Sequence, residues 1–125
     1  MKLRLQNDSV RLRLSQSEVV AAAQHGIVEG RTRFPDGSVF TFALEALDKG
    51  AAPSASYTRD RMVVKLPAAE ISGWASDDES VSLHGELELP DGGLLRLLVE
   101  KDFKCAIPRD DEDQSDLFAN PQSAR

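Results

Sequence analysis

Residues 1–14, MKLRLQNDSVRLRL, alternate apolar and polar side chains on both sides of Asn7-Asp8 and run straight into a helix start. Few folds accommodate that combination. Period-two alternation marks a strand with one buried face. Asn and Asp tolerate the backbone that a two-residue hairpin turn needs. A turn there sets Leu5 opposite Val10, Leu3 opposite Leu12 and Met1 opposite Leu14, so every apolar side chain falls on one face. The same register sets Arg4 against Arg11 and Lys2 against Arg13 on the other face. Like charges across a ladder destabilise it by roughly 0.2–1 kcal/mol per pair. This face therefore calls for acids on neighbouring strands, or for an anionic ligand.

The helix that follows is punctuated at both ends. Ser15 is placed as N-cap and Glu18 at N3, which makes a capping box, while Leu14 and Val19 form a hydrophobic staple. Gly26 stands where a left-handed C′ residue is wanted. A helix over about 16–25 is expected, with the small residues Val19, Ala22 and Ala23 against the hairpin.

The same grammar continues along the chain. Residues 27–45 read as a hairpin around Pro35-Asp36-Gly37, pairing Thr32 with Phe40, Gly30 with Phe42 and Val28 with Leu44. Gly30 opposite Phe42 marks a place where a ring needs room. A third hairpin turns at Arg59-Asp60, pairing Tyr57 with Met62 and Ala55 with Val64. Pro67 opens a second helix over about 68–75, with Ile71 and Trp74 as its apolar pair. The last hairpin spans about 80–103. A three-residue loop at 91–93 pairs Leu89 with Leu95, Leu87 with Leu97 and Gly85 with Val99, and sets Glu88 against Arg96 and His84 against Glu100.

Eight strands in four hairpins with two helices make an α+β domain, built on an antiparallel sheet or a partly open barrel. The order ββα-ββ-ββα-ββ hints at two ββαββ halves, 1–45 and 55–103, without evident sequence identity between them.

A chain of 125 residues with 41% hydrophobic and 29% charged residues reads as one soluble domain, 1–104, with a tail, 105–125. Residues 1–104 hold 13 bases and 16 acids, and 105–125 hold 2 bases and 5 acids, so the tail is the more acidic per residue. The formal charge of −6 makes nucleic acid an unexpected partner. One cysteine allows no internal disulfide. No apolar run reaches the roughly 18 residues of a membrane span, and no signal-peptide core is evident, so a cytoplasmic protein is expected.

RLRLSQSEV (11–19), VEKDFKC (99–105) and EDQSDLFANP (112–121) resemble a family of short bacterial proteins with no assigned function. That resemblance implies a single small domain and brings no catalytic residues with it. The strand count, the basic strands KLRL and RLRL, and the pair Glu86 and Glu88 are also similar to the triphosphate tunnel (CYTH) fold. That likeness implies an eight-stranded barrel holding a triphosphate and its metal. The chain departs from it in lacking an N-terminal ExExK strand.

The most informative constellation is Lys2, Arg4, Arg11 and Arg13. Guanidinium forks suit phosphate or carboxylate, which makes this face a candidate anion site. The plainer reading is a solvated face neutralised by Glu86, Glu88 and Glu100. His25 suits a helix C-terminus, and His84 a surface ion-pair cluster. Cys105 lacks the cationic surroundings of a reactive thiol. The run Asp110, Asp111, Glu112, Asp113, Ser115 and Asp116 lacks the glycine turn and closing glutamate of a calcium loop, and suits a solvated tail or a protein-binding peptide. No Walker loop, GxSxG, HExxH or CxxC is present. The sequence therefore favours a small binding or interaction domain without catalysis or cofactor. The alternative is a phosphoanion-binding protein or phosphohydrolase using the basic face, Glu86, Glu88 and a divalent metal. No catalytic residue is assigned.

Overall fold

A computed structural model describes residues 1–104 and 115–119. The elements run β1 (Lys2–Leu5), β2 (Ser9–Leu14), α1 (Gln16–His25), β3 (Ile27–Arg33), β4 (Val39–Leu47), β5 (Ser54–Thr58), β6 (Arg61–Pro67), α2 (Ala68–Ser76), β7 (Ser82–Glu88) and β8 (Leu94–Lys101). The capping box of α1 forms, with the Ser15 N–H donating to Glu18 Oε1 at 2.9 Å. Gly26 closes the helix in the left-handed region at φ 77°.

The α+β class, the eight strands in four hairpins and the two helices stand as read from the sequence. The strands form two mixed sheets, ordered β1-β2-β8-β7 and β3-β4-β6-β5, and do not close into a barrel. In each sheet two antiparallel hairpins meet through a parallel central pair, β2 with β8 or β4 with β6. The cause lies in the helices. Helix α1 carries the chain from the first sheet to the second, and α2 carries it back, so successive hairpins cannot continue one meander. The likeness to the triphosphate tunnel barrel accordingly finds no support.

The first three hairpins have the expected register. The fourth is shifted by two residues, pairing Leu87 with Leu95, Gly85 with Leu97 and Leu83 with Val99. Its loop is Pro90-Asp91-Gly92, with Gly92 left-handed at φ 91°, matching Pro35-Asp36-Gly37 with Gly37 at φ 92°. A shift of two keeps every side chain on its expected face. It does exchange partners: Glu86, not Glu88, faces Arg96, and Ser82, not His84, faces Glu100.

The two halves are topological copies. Each sheet takes the first hairpin of one half and the second hairpin of the other. Val10, Leu12, Leu14, Val19 and Ala22 are buried, and so are Met62, Val64, Leu66, Ile71 and Trp74, each 52 positions later. Phe42 and Leu44 correspond in the same way to Leu97 and Val99, 55 positions later. Tertiary hydrogen bonds repeat too. The Arg96 N–H donates to Asp8 O at 2.9 Å, and the Thr41 N–H to Asp60 O at 3.0 Å. These side chains from both sheets and both helices form one core.

Residues 115–119 dock at the junction of α1 and β8. The Phe118 N–H donates to Asp102 O at 2.8 Å, and its ring packs on Phe103 with centroids 5.7 Å apart. The Gln16 N–H donates to Asp116 O at 2.9 Å, and Leu117 is buried. Phe118 thus anchors the segment. Cys105, the acids at 110–113 and Asn120-Pro121 lie outside the described residues.

Candidate functional site

Alternation along four adjacent strands directs Lys2 and Arg4 (β1), Arg11 and Arg13 (β2), Arg96, Leu98 and Glu100 (β8), and His84, Glu86 and Glu88 (β7) to the outward face of the first sheet. Arg4 stands directly opposite Arg11, and Lys2 opposite Arg13. Parallel pairing then sets β8 beside β2, with Arg96 next to Ser9, Leu98 next to Arg11 and Glu100 next to Arg13.

One carboxylate serves two of these cations. Glu100 Oε1 accepts the Nε–H of Arg11 and that of Arg13, the latter at 2.8 Å. Burial resists ionisation of Glu100, but the hydrogen bonds and charges of both arginines outweigh it and hold its carboxyl below the usual glutamate value. Lys2 Nζ lies 3.0 Å from the buried Asp102 carboxylate. Arg4 Nη2 donates to the side-chain oxygen of Gln6 at 3.2 Å. Among the described residues neither Arg4 nor Arg96 enters an ion pair.

A half-open groove of about 320 Å³ lies on this face, lined by Arg4, Ser9, Arg11, His84, Glu86 and Arg96 over a floor that includes Leu98. A smaller depression of about 200 Å³ is lined by Lys2, Leu3, Arg4, Arg11 and Arg13. Of the bases singled out in the sequence, Arg4 and Arg11 thus enter the main groove, while Lys2 and Arg13 lie beyond it on Asp102 and Glu100. Of the acids, Glu86 lines the groove, Glu100 bonds to Arg11 at one side, and Glu88 is not in the lining, facing Leu94 across the hairpin.

The sequence reading missed Arg96, which it had matched with Glu88. Correct placement of the Pro-Asp-Gly loop moves Arg96 two positions along and into the groove. It also missed Lys101, which is buried on the apolar side of β8. Lys101 Nζ donates to Asp77 O at 2.8 Å and lies 5.9 Å from the Trp74 ring centre and 5.5 Å from that of Phe118. Continuing the alternation Leu95, Leu97, Val99 by one step would have shown it.

The second sheet supplies an internal control, because its outward face is built from equivalent positions. Ser54, Ser56, Val63 and Thr41 stand where Lys2, Arg4, Arg11 and Arg96 stand in the first. Lys65 and Glu45, 3.8 Å apart, repeat the pair Arg13 and Glu100. That ion pair belongs to the duplicated scaffold. At the three arginine positions of the groove the second sheet has Ser56, Val63 and Thr41, and its own outward arginines, Arg31, Arg33 and Arg61, stand where Glu86, Glu88 and Ser9 stand in the first.

Ser82 Oγ and His84 Nε2 are 3.1 Å apart on the exposed edge strand β7. Among the described residues no carboxylate bonds the other nitrogen of His84, so no third group orients it as a catalytic base. Among the described residues no three His, Cys, Asp or Glu side chains converge as metal ligands. No described helix is long and apolar enough to cross a membrane.

The model of a family of unknown function (DUF7009) matches residues 1–122. The chain belongs to this family. Membership of DUF7009 agrees with the sequence's resemblance to proteins without an assigned function. No curated protein and no solved structure matches this family member.

Proposed function

We propose that this DUF7009 protein is a small non-catalytic binding domain. Its binding surface is the outward face of the first sheet, with an anionic group of the ligand seated between Arg4, Arg11 and Arg96. The placement of the arginines carries this reading: in the first sheet Arg4, Arg11 and Arg96 line one groove, whereas the outward arginines of the second sheet, Arg31, Arg33 and Arg61, stand at other positions. Whatever the fold needs at these positions, Ser56, Val63 and Thr41 supply in the second sheet. Arg11 bonds Glu100, but stability gives no such reason for Arg4 and Arg96, which enter no ion pair among the described residues, and Arg4 faces Arg11 across the ladder. The excess charge is explained when a ligand brings the missing anion.

The test exchanges the face for its own counterpart. A variant carrying Arg4→Ser, Arg11→Val and Arg96→Thr takes side chains that the same fold already holds. A thermal-shift panel of phosphate, pyrophosphate, triphosphate and nucleotides is expected to stabilise the natural protein. A ligand at about 100 times its dissociation constant contributes about 2.7 kcal/mol, which is roughly 10 °C at about 4 °C per kcal/mol. The exchanged variant should give no response. A flat panel for the natural protein, or equal responses from both, would refute the surface. Conversion of a bound compound to product would refute the absence of catalysis.

A further inference from the structure

We infer that the ligand of the Arg4/Arg11/Arg96 groove is a small phosphomonoester with a hydroxylated organic body. This rests on the binding surface proposed above and names the chemistry it takes.

Charge is the first argument. Four guanidiniums, Arg4, Arg11, Arg13 and Arg96, face two carboxylates, Glu86 in the groove and Glu100 shared by Arg11 and Arg13. The remaining two positive charges match a phosphomonoester, which carries about −1.5 to −2 at pH 7. A monocarboxylate would leave one of them uncompensated.

Donor geometry is the second. Arg11 commits its Nε–H to Glu100 and keeps its terminal amino groups. Arg4 commits one Nη to Gln6. No hydrogen bond or ion pair occupies the Arg96 guanidinium among the described residues. The three arise from adjacent strands, with Arg4 opposite Arg11 and Arg96 one diagonal step from Arg11. A tetrahedral group with three terminal oxygens engages three such forks at once, which a planar carboxylate does not.

Size and lining are the third. A groove of about 320 Å³ is far larger than a bare phosphate needs and falls at the lower end of the roughly 300–1,000 Å³ of small-molecule sites. Leu98 gives its floor an apolar part, while Glu86 and His84 offer acceptors at its β7 side. An organic body with hydroxyl donors fits that combination.

A polymer fits poorly. Beyond the groove the described cations of this face are Lys2 and Arg13, already engaged by Asp102 and Glu100, and Lys104, which also has a partner. Among the described residues no track of unengaged bases continues along which further phosphates would run, and the chain's net charge of −6 opposes a polyanion.

The experiment is an NMR titration of the arginine Nε–H signals, with calorimetry, at low salt. The probes are ribose 5-phosphate, adenosine monophosphate, inorganic phosphate and citrate. At least one phosphomonoester should bind about tenfold or more tighter than inorganic phosphate and move the Arg4, Arg11 and Arg96 signals. Arg4→Ser and Arg96→Thr should each weaken it about tenfold, while Arg33→Ala on the second sheet leaves it unchanged. Inorganic phosphate binding as tightly as the esters would overturn the organic body. Ester binding unaffected by Arg4→Ser and Arg96→Thr would overturn the site. Citrate binding through the same arginines with no ester bound would overturn the ligand class and leave the binding surface standing. No anion moving any of the three signals would overturn both.

Discussion

Gly30 and Gly85 occupy equivalent positions in the two halves, yet substitution should affect them in opposite ways. A Cβ at Gly30 would lie 2.5 Å from Phe42 Cζ and 2.7 Å from its Cε2. The Phe42 ring is buried and stacked on Phe40 at 5.9 Å, so it cannot swing aside without disturbing a second ring. A Cβ at Gly85 would lie 3.6 Å from Leu97, an ordinary contact. Gly30→Ala should therefore carry an overpacking cost of about 1–3 kcal/mol. Gly85→Ala should be neutral or gain up to about 1 kcal/mol, since alanine restricts the unfolded chain. At about 4 °C per kcal/mol the first variant melts roughly 4–12 °C lower. Urea unfolding with an unchanged m-value is the assay. Replacing Phe42 by the leucine that its counterpart Leu97 already is should relieve the clash. Phe42→Leu should thus cost less in the Gly30→Ala background than alone, with a coupling of about 1 kcal/mol. Equal losses at both glycines, or strict additivity with Phe42→Leu, would refute the reasoning.

Other expectations follow from the site and its neighbours. Glu100 has a lowered folded carboxyl pKa, so its contribution is complete above its unfolded value of about 4.3 and is lost as pH falls through the lower folded one. Melting curves should show Glu100→Gln closing its stability gap to the natural protein as pH falls from about 5 through the lowered folded value. Arg11→Ala should cost less than about 1 kcal/mol in denaturant melts, because Arg13 still holds Glu100 and repulsion from Arg4 is relieved. Lys101→Ala should cost about 2 kcal/mol by stranding the Asp77 carbonyl. It should also shift the fluorescence of Trp74, the single tryptophan, and speed hydrogen exchange at the Phe118 amide. Ser15→Ala should cost about 1 kcal/mol by unmaking the capping box, read by thermal melts.

Local grammar made most of the elements legible. The Asn7-Asp8 turn, the Ser15/Glu18 box and the Gly30 gap for Phe42 each name a short-range constraint, and each stands in the structure. The pairing of β2 with β8 was not legible, because nothing local selects which hairpin edge meets which. The duplication carried one visible trace, Pro-Asp-Gly at 35–37 and again at 90–92. Reading the second loop like the first would have corrected the last register and brought Arg96 beside Arg11. The basic face itself was apparent from alternation. What distinguishes Arg4, Arg11 and Arg96 from Arg13 appears only when the two sheets are compared position by position.

The parallel pair at the centre of the first sheet also orders events during synthesis. Arg13 and Glu100 are 87 positions apart, whereas the whole second sheet lies within residues 27–67. The second sheet has all its strands while the ribosome is still making α2. The N-terminal hairpin, made first, waits longest for a neighbour, with Arg4 and Arg11 facing each other and no Glu100 yet translated. Loop-closure entropy makes this the slower pairing as well. The groove therefore comes into being last, because Arg96 and the β7–β8 wall are the last parts of it to be made.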